Sequence, residues 1–401
     1  MVRQTDVAIV GGGLAGSTAA AMLGRAGIDA VLIDPHDVYP PELRCEKLDG
    51  EQAAILRKTG LADDILPASA TAEHLWVARF GRLLDAKPGV QHGIMYDALV
   101  NTMRGAIPPS VPLIRAKATG IATGPDRQKV MLSDGEEISA RLVVLANGLN
   151  LSLRHALGLE REELSRCHSI TIGFDMKPVG RAAFDFPALT YYAERAADRS
   201  AFLTLFPITG GMRANYMVYR GLDDPWLLTL RQDPHAALVA VMPRLEKITG
   251  PFEVDGLKIR PADLYRTKGH LQPGIVLVGD AFATSCPAGG TGTGKVFTDV
   301  ERLCNVHIPA WLATGGMGTG KIAEFYADPV KRAYDAYSIA LAYDLRARSM
   351  DPGLRWRTDR VARFLARLAV GIGRRLRAAL VMRETYGQSS ATPGAAKIRH
   401  V

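Results

Sequence analysis

The sequence predicts an α/β fold: a Rossmann-like nucleotide-binding domain, an inserted antiparallel sheet and a helical C-terminal tail. Three observations predict it. A strand, glycine turn, helix, strand and acid follow one another at the N-terminus. β-branched and aromatic runs separated by turns fill the middle of the chain. A second buried strand ends in Gly279-Asp280 and leads through a glycine-rich loop to helices that dominate the rest.

Residues 6–10 read as a short buried strand that enters Gly11-Gly12-Gly13-Leu14-Ala15-Gly16. Residues 17–25 read as a helix and residues 30–33 as a second strand, ending at Asp34. This order is the one that holds a dinucleotide. Gly11 permits the tight turn, Gly13 lets a pyrophosphate approach the backbone, and Gly16 lets the helix pack close to the sheet. The helix start presents free N–H groups and about half a positive charge to phosphates. Asp34 is expected to accept hydrogen bonds from a ribose diol, and its charge disfavours a 2′-phosphate, so FAD or NAD fits better than NADP.

A proline-rich loop at 35–41 precedes Arg44-Cys45-Glu46 and a helical pattern ending at Gly60. Residues 74–84 alternate as a strand pair and residues 92–103 as a helix. Residues 111–121 and 129–132 read as strands, with an Asp134-Gly135 turn. Residues 142–146 form a continuous apolar run, as a buried parallel strand should, and end in Asn147-Gly148. From about 167 to 254 the runs 169–174, 188–193, 201–206 and 215–220 predict the inserted sheet, with a helix around 235–248. Residues 274–278 are a buried strand, and residues 291–304 a helix.

These readings give a discontinuous nucleotide-binding domain at 1–70, 93–165 and 260–340. A substrate domain takes 71–92 and 166–259, C-terminal helices 341–387, and a disordered tail 388–401. A sheet beside a dinucleotide domain is a natural substrate lid, because ligands tend to lie between domains.

The chain's net charge of +8 is local. Residues 345–401 hold 13 Lys/Arg against 3 Asp/Glu, which leaves 36 against 38 in residues 1–344. The basic character therefore says nothing about the core's substrate, and no nucleic-acid partner is expected. Four cysteines without a CxxC argue against a disulfide framework or a metal site. With no leader-like segment and no long apolar run, a cytoplasmic location is expected. In the tail, residues 359–383 predict an amphipathic helix. Val361, Phe364, Leu365, Leu368, Ile372, Leu376 and Ala379 form one stripe, with Arg360, Arg363, Arg367, Arg374 and Arg377 opposite. Packing of the stripe on the protein is the plainer reading. Peripheral contact with anionic lipid is the other.

Two near-matches to a P-loop, at 289–295 and 315–321, end in Val296 and Ile322 instead of the hydroxyl that binds magnesium, so neither is read as one. Tyr191, Tyr192, Arg213, Tyr216 and Arg220 could reach a substrate from the sheet, about one in four of them being expected to do so. His168, His235 and His270 read as surface or capping residues.

Gly11-x-Gly13-x-x-Gly16 together with Gly279-Asp280, Pro287, Gly289, Gly292 and Asp299 resembles the FAD-dependent group that includes para-hydroxybenzoate hydroxylase. Flavin monooxygenases, flavin halogenases and geranylgeranyl reductases share its glutathione-reductase-type FAD-binding domain. The resemblance spans roughly residues 5–340, and the stretch from Phe206 to Arg213 resembles the family's segment passing over the flavin. It implies FAD contacts at Gly11, Gly13, Leu14, Ala15, Gly16, Asp34, Arg44, Asp280, Gly290, Gly292 and Thr293, with NADH or NADPH as electron donor. It implies a monooxygenase that hydroxylates a small organic substrate through a C4a-hydroperoxyflavin. Alternatives are a geranylgeranyl-reductase-like enzyme acting on lipid C=C bonds and a flavin-binding protein without turnover. Asn147 stands where the family carries an acid tied to FAD and nicotinamide use, and Tyr96 where its first long helix carries an arginine. No residue is assigned as catalytic. The candidates are Cys45, Cys286, Pro287 and Tyr192, and the two cysteines are weighed as a thiol–disulfide pair against two small buried residues. The oligomeric state is left open.

Overall fold

The structure, a computed structural model, describes residues 2–389, with side chains through residue 377. The chain opens with β1 (Val2–Val10), α1 (Leu14–Arg25) and β2 (Ala30–Ile33). A loop leads to β3 (Lys47–Asp49), α2 (Gly50–Lys58) and the short α3 (Ala62–Ile65). The hairpin β4 (Ala70–Arg79) and β5 (Arg82–Gly93) precedes α4 (Tyr96–Gly105). Then come β6 (Leu113–Ile114), β7 (Ala118–Ala122), β8 (Gln128–Leu132), β9 (Glu137–Leu145) and α5 (Ser152–Ala156). β10 (Glu160–Pro178), β11 (Leu189–Tyr192), β12 (Ser200–Ile208) and β13 (Gly211–Val218) follow. After them stand α6 (Pro225–Gln232), α7 (Pro234–Val241), α8 (Glu246–Thr249), β14 (Phe252–Lys268) and β15 (Ile275–Leu277). The chain ends in α9 (Thr291–Arg302), α10 (Ile308–Leu312), α11 (Thr319–Ala327), α12 (Pro329–Met350) and α13 (Leu354–Ser389).

The first sheet runs β6-β2-β1-β9-β8-β7, and β15 also pairs with β9. β1 lies parallel to β2 and β9, and β9 parallel to β15. β9 shows why its burial pattern changes along its length. Its first half alternates because it turns back antiparallel on β8, and its second half, at Leu142–Leu145, is buried on both faces between β1 and β15. One apolar cluster fills the side of this sheet carrying α1, α4 and α9, with Val7, Ile9, Val144 and Val276 meeting Leu23, Leu99 and Phe297.

The second sheet runs β14-β10-β13-β12-β11-β4-β5-β3. Every pair is antiparallel except β11 with β4, which is parallel. It overruns the expected limits: β3 joins it from the N-terminal segment, and β10 and β14 extend to Glu160 and Lys268. A single helix at 235–248 is replaced by α7 and α8, and α6 precedes them. Asp224 and Asp233 each cap a helix that starts with proline, so the segment restarts instead of continuing.

The tail departs most from expectation. α13 begins at Leu354, and its apolar stripe does not lie on the protein. Val361, Leu365, Ile372 and Leu376 are exposed, and only Phe364 and Leu368 turn partly inward. Arg360, Arg367 and Arg374 instead reach back to the body of the molecule. The side chain of Ala379 and the expected disordered tail from residue 390 lie outside what the structure describes. No helix among the described residues is long and apolar enough to cross a membrane.

Candidate active site

The two glycine turns meet. Gly11, at φ +104°, bends the chain beside Ala146, and Gly16 packs against the carbonyl of Gly11, where a Cβ would lie 1.8 Å from the oxygen. A Cβ on Gly279, at the end of β15, would come within 3.6 Å of the Cβ of Ala15 on α1. A Cβ on Gly13 would meet only the Tyr39 ring and the Tyr96 hydroxyl, at 3.8 Å or more, and α1 has no side-chain cap. Free amides behind an open glycine are what a pyrophosphate needs.

Asp299 on α9 fixes the second turn from below. Its Oδ2 accepts from the Gly279 N–H at 3.0 Å and from Lys295 at 2.8 Å, while Oδ1 takes Lys331 at 2.9 Å. All three side chains are buried. Burial alone would raise the carboxyl, but the two ammonium groups outweigh it and lower it. Asp280 beside it projects into a cleft of about 490 Å³.

That cleft joins the two sheets. Leu14, Arg44, Asp280, Gly290, Gly292, Thr293 and Pro287 line one side, and Tyr192, Phe202, Thr204, Asn215 and Met217 the other. Arg44 donates to Asp280 at 2.7 Å and meets Glu42 at 2.8 Å, over the Tyr96 ring. Burial works against the charge on Glu42, yet hydrogen bonds and charge from Arg44 and Arg260 hold it at about 2. Burial pushes Tyr96 up to about 12, so it stays a neutral phenol.

The expected site residues divide: some line the cleft, and others lie beside it or are engaged elsewhere. Gly11, Gly13, Ala15, Gly16 and Asp34 lie outside the lining of the cleft. The Asp34 carboxylate is already engaged: it accepts from Gly12 N at 2.7 Å and His36 N at 2.9 Å and pairs with Arg104 at 3.1 Å. Arg104, on the same helix as Tyr96, also donates to the Gly12 carbonyl. Cys286 is not in the lining. It sits 1% exposed among Met217, Tyr219 and Ala342, 3.4 Å from Ser169 Oγ. Cys45 does line the cleft, and its Sγ donates to the Lys47 carbonyl. Both are free thiols that burial pushes above the ordinary range, the opposite of a reactive pair.

Of five polar sheet residues only Tyr192 reaches the cleft. Tyr191 is spent on Glu194, Tyr216 on Ser200, and Arg220 on Asp224. Arg213 is buried against Glu46 at 2.8 Å, and Phe206 is fully buried outside the lining, so the residues facing the cleft are their neighbours Thr204 and Asn215. His168 is buried, not superficial, while His235 bonds Glu246 and His270 the Thr267 carbonyl. Lys321 of the second near-P-loop caps the carbonyls of Trp311, Gly315 and Gly316.

Besides Arg104, Glu46 and Lys47 escaped the sequence reading. Glu46 accepts from Arg213 and from Asn215 at 2.7 Å, which ties the loop before β3 to the second sheet. Lys47 lines the cleft, forms no ion pair among the described residues, and is lowered by burial. The only signal was their position beside Arg44 and Cys45.

A mostly parallel sheet with a dinucleotide turn, sharing one cleft with a second, mostly antiparallel sheet, is the architecture of a flavin-dependent oxidoreductase, and the similarities to known proteins identify it as one. The FAD binding domain family matches residues 4–110. Ubiquinone hydroxylase UbiL of Rhodospirillum rubrum is 32% identical over 335 residues, covering 77% of this chain and 73% of that protein. The 3-demethoxyubiquinol 3-hydroxylase of Escherichia coli is 23% identical over 336 residues, 77% and 81% of the two chains. The crystal structure of p-nitrophenol 4-monooxygenase PnpA from Pseudomonas putida shares the fold over 99% of this chain and 100% of that one, with a TM-score of 0.73 and 18% identity. The chain belongs to the para-hydroxybenzoate-hydroxylase-like family of FAD-dependent enzymes. It is a monooxygenase with FAD as cofactor, and the double-bond reductase and non-catalytic readings are not favoured.

Proposed function

We propose that this enzyme hydroxylates the ring of a phenol or quinol carrying an apolar chain, drawing electrons from NADH or NADPH. The carrying observation is the single cleft that has Arg44 and Asp280 on one wall and Tyr192, Phe202 and Met217 on the other. The similarity to two hydroxylases named for ubiquinone-type rings supports the substrate class.

In this reading the second sheet is the substrate domain. Leu14 and the amides at Gly13 hold the pyrophosphate of FAD, Asp34 the adenosine ribose, and Asp280 with Arg44 the ribityl chain. Gly290, Gly292, Thr293 and Pro287 border the flavin ring. Reduced FAD supplies the oxygen activation. The chain's own residues do the rest: Phe202 and Met217 exclude water, and Asn215 and Tyr192 orient the ring. Lys47, which lines the cleft with no carboxylate partner among the described residues, holds the phenolic oxygen. Cys45 has no chemical part.

The outward stripe of α13 supports a further element of the reading, contact with an anionic bilayer from the cytoplasmic side. Its exposed members, Leu354, Val361, Leu365, Ile372 and Leu376, recur at intervals of seven and four residues, and exposed Arg355, Arg357, Arg375 and Arg377 flank them. A bilayer-resident substrate would be met there.

The test supplies FAD-loaded protein with NADPH and a short-chain prenylphenol under air and under nitrogen. Hydroxylation requires oxygen uptake and a product heavier by one oxygen atom. Turnover under nitrogen that saturates a C=C bond would overturn the reading.

A further inference from the structure

A second cavity, of about 130 Å³, lies beneath α13. It is bounded by β11, β12 and the end of α12, and it shares Tyr192 and Phe202 with the main cleft. Six arginines and one carboxylate, Asp359, line it. The carboxylate is already engaged, with Arg363 at 2.9 Å and Arg348 at 3.5 Å.

Three of the arginines have no carboxylate partner among the described residues. Arg79 Nε donates to the Ala193 carbonyl at 2.8 Å. Arg360 Nη1 donates to the carbonyls of Arg348 and Asp351. Arg367 stacks over Tyr192, 4.2 Å from the ring centroid. All three are only partly exposed. Burial, and then the charges of Arg360 and Arg367, pull Arg79 below the ordinary guanidinium range. Like charges gathered out of water repel one another until an anion joins them, and guanidinium forks match the oxygens of phosphate. Gly371 keeps the roof in place: a Cβ there would lie 1.8 Å from the Leu84 carbonyl, so α13 rests directly on β5.

We propose that this cavity is a phosphate-binding site, separate from the FAD cleft. Two sources carry the required chemistry. One is the headgroup of an anionic lipid at the outward stripe of α13, and the other is the diphosphate of the nicotinamide donor, reaching the cleft past Tyr192 and Phe202. The site uses no substrate-facing residue except that shared wall, so it stands whatever ring is hydroxylated.

The experiment uses the full chain loaded with FAD. Pyrophosphate is titrated by calorimetry, followed by NADPH, and by vesicles of phosphatidylcholine with and without phosphatidylglycerol. The cavity variant is Arg79→Gln/Arg367→Gln, and Arg57→Gln/Arg332→Gln, exposed on α2 and α12 away from α13, is the control of equal charge. Saturable pyrophosphate binding, weakened at least tenfold in the cavity variant and little changed in the control, is expected. The same tenfold loss for NADPH identifies a nucleotide, and for phosphatidylglycerol vesicles a lipid. Loss with pyrophosphate alone identifies a free phosphate ester. A second readout guards against misfolding. Pyrophosphate should raise the thermal midpoint of the wild type but not of Arg367→Gln, whose midpoint without pyrophosphate should be equal or higher because a repulsion is gone. No saturable binding by the wild type, or equal binding by the cavity variant, overturns the proposal.

Discussion

Arg44 is the residue on which the cofactor side of the cleft turns. Its guanidinium spans Glu42 and Asp280, so one fork orients the carboxylate read here as the ribityl contact. Lysine at this position keeps the charge but cannot reach both oxygens in fixed geometry. Arg44→Lys should weaken FAD binding at least tenfold, consistent with about 1.5–3 kcal/mol for a hydrogen bond to a charged group, as read by flavin fluorescence titration. Glu42 carries a pH signature. Its ordinary value of 4.5 falls to about 2 in the fold, so the native state favours the ionised form. The stabilisation is complete above pH 4.5 and is lost as pH falls toward 2. The difference in melting temperature between the wild type and Glu42→Gln should therefore be constant above that window and shrink through it. At Cys45, burial and a raised thiol predict slow reaction with a thiol reagent in the native protein, and FAD retention and turnover in Cys45→Ser close to the wild type.

At the scale of elements, what was legible is what depends on neighbours in sequence. The β1–turn–α1–β2 order was readable because each glycine acts on the backbone beside it. β14 was not, because its 17 residues include several charges and Pro261 on a strand at the sheet's edge, which pairs with β10 alone. An edge strand tolerates both and gives no apolar run to detect. Arg104 and Glu46 escaped for a different reason: their partners lie 92 and 167 residues away. Gly371, in the interior of a helix, is the point of contact between α13 and β5. The buried set of Asp299, Lys295 and Lys331 under the Gly279 turn makes an element-scale prediction. Asp299→Asn leaves two buried ammonium groups short of their shared counterion, with only the half-buried Asp335 remaining. Breaking a buried pair costs about 3–5 kcal/mol, so this variant should unfold at clearly lower urea concentration. Any folded fraction should also lose FAD, because the Gly279 N–H loses its charged acceptor.

Across the whole molecule the two sheets meet at the cleft, and long-range ties brace its two sides, Arg213 with Glu46 on the second sheet and Arg44 with Asp280 on the cofactor wall. A cofactor lying in that cleft touches both walls and so adds interactions that exist only when the sheets are correctly set against each other. Binding to the native state alone stabilises it by mass action, about 2.7 kcal/mol at a hundredfold excess over Kd. The FAD-saturated protein should accordingly melt higher than the stripped protein, with the gap widening with the logarithm of FAD concentration. Adenosine diphosphate engages the pyrophosphate turn but cannot reach the second sheet, so it should recover only part of the gap and leave the second sheet no better protected from hydrogen exchange. Full FAD should slow exchange in β12 and β13 as well as in β1 and β9. Equal protection by the two ligands would mean that the flavin ring does not contact the second sheet, and the substrate wall assigned to Tyr192, Phe202 and Met217 would then have to lie elsewhere.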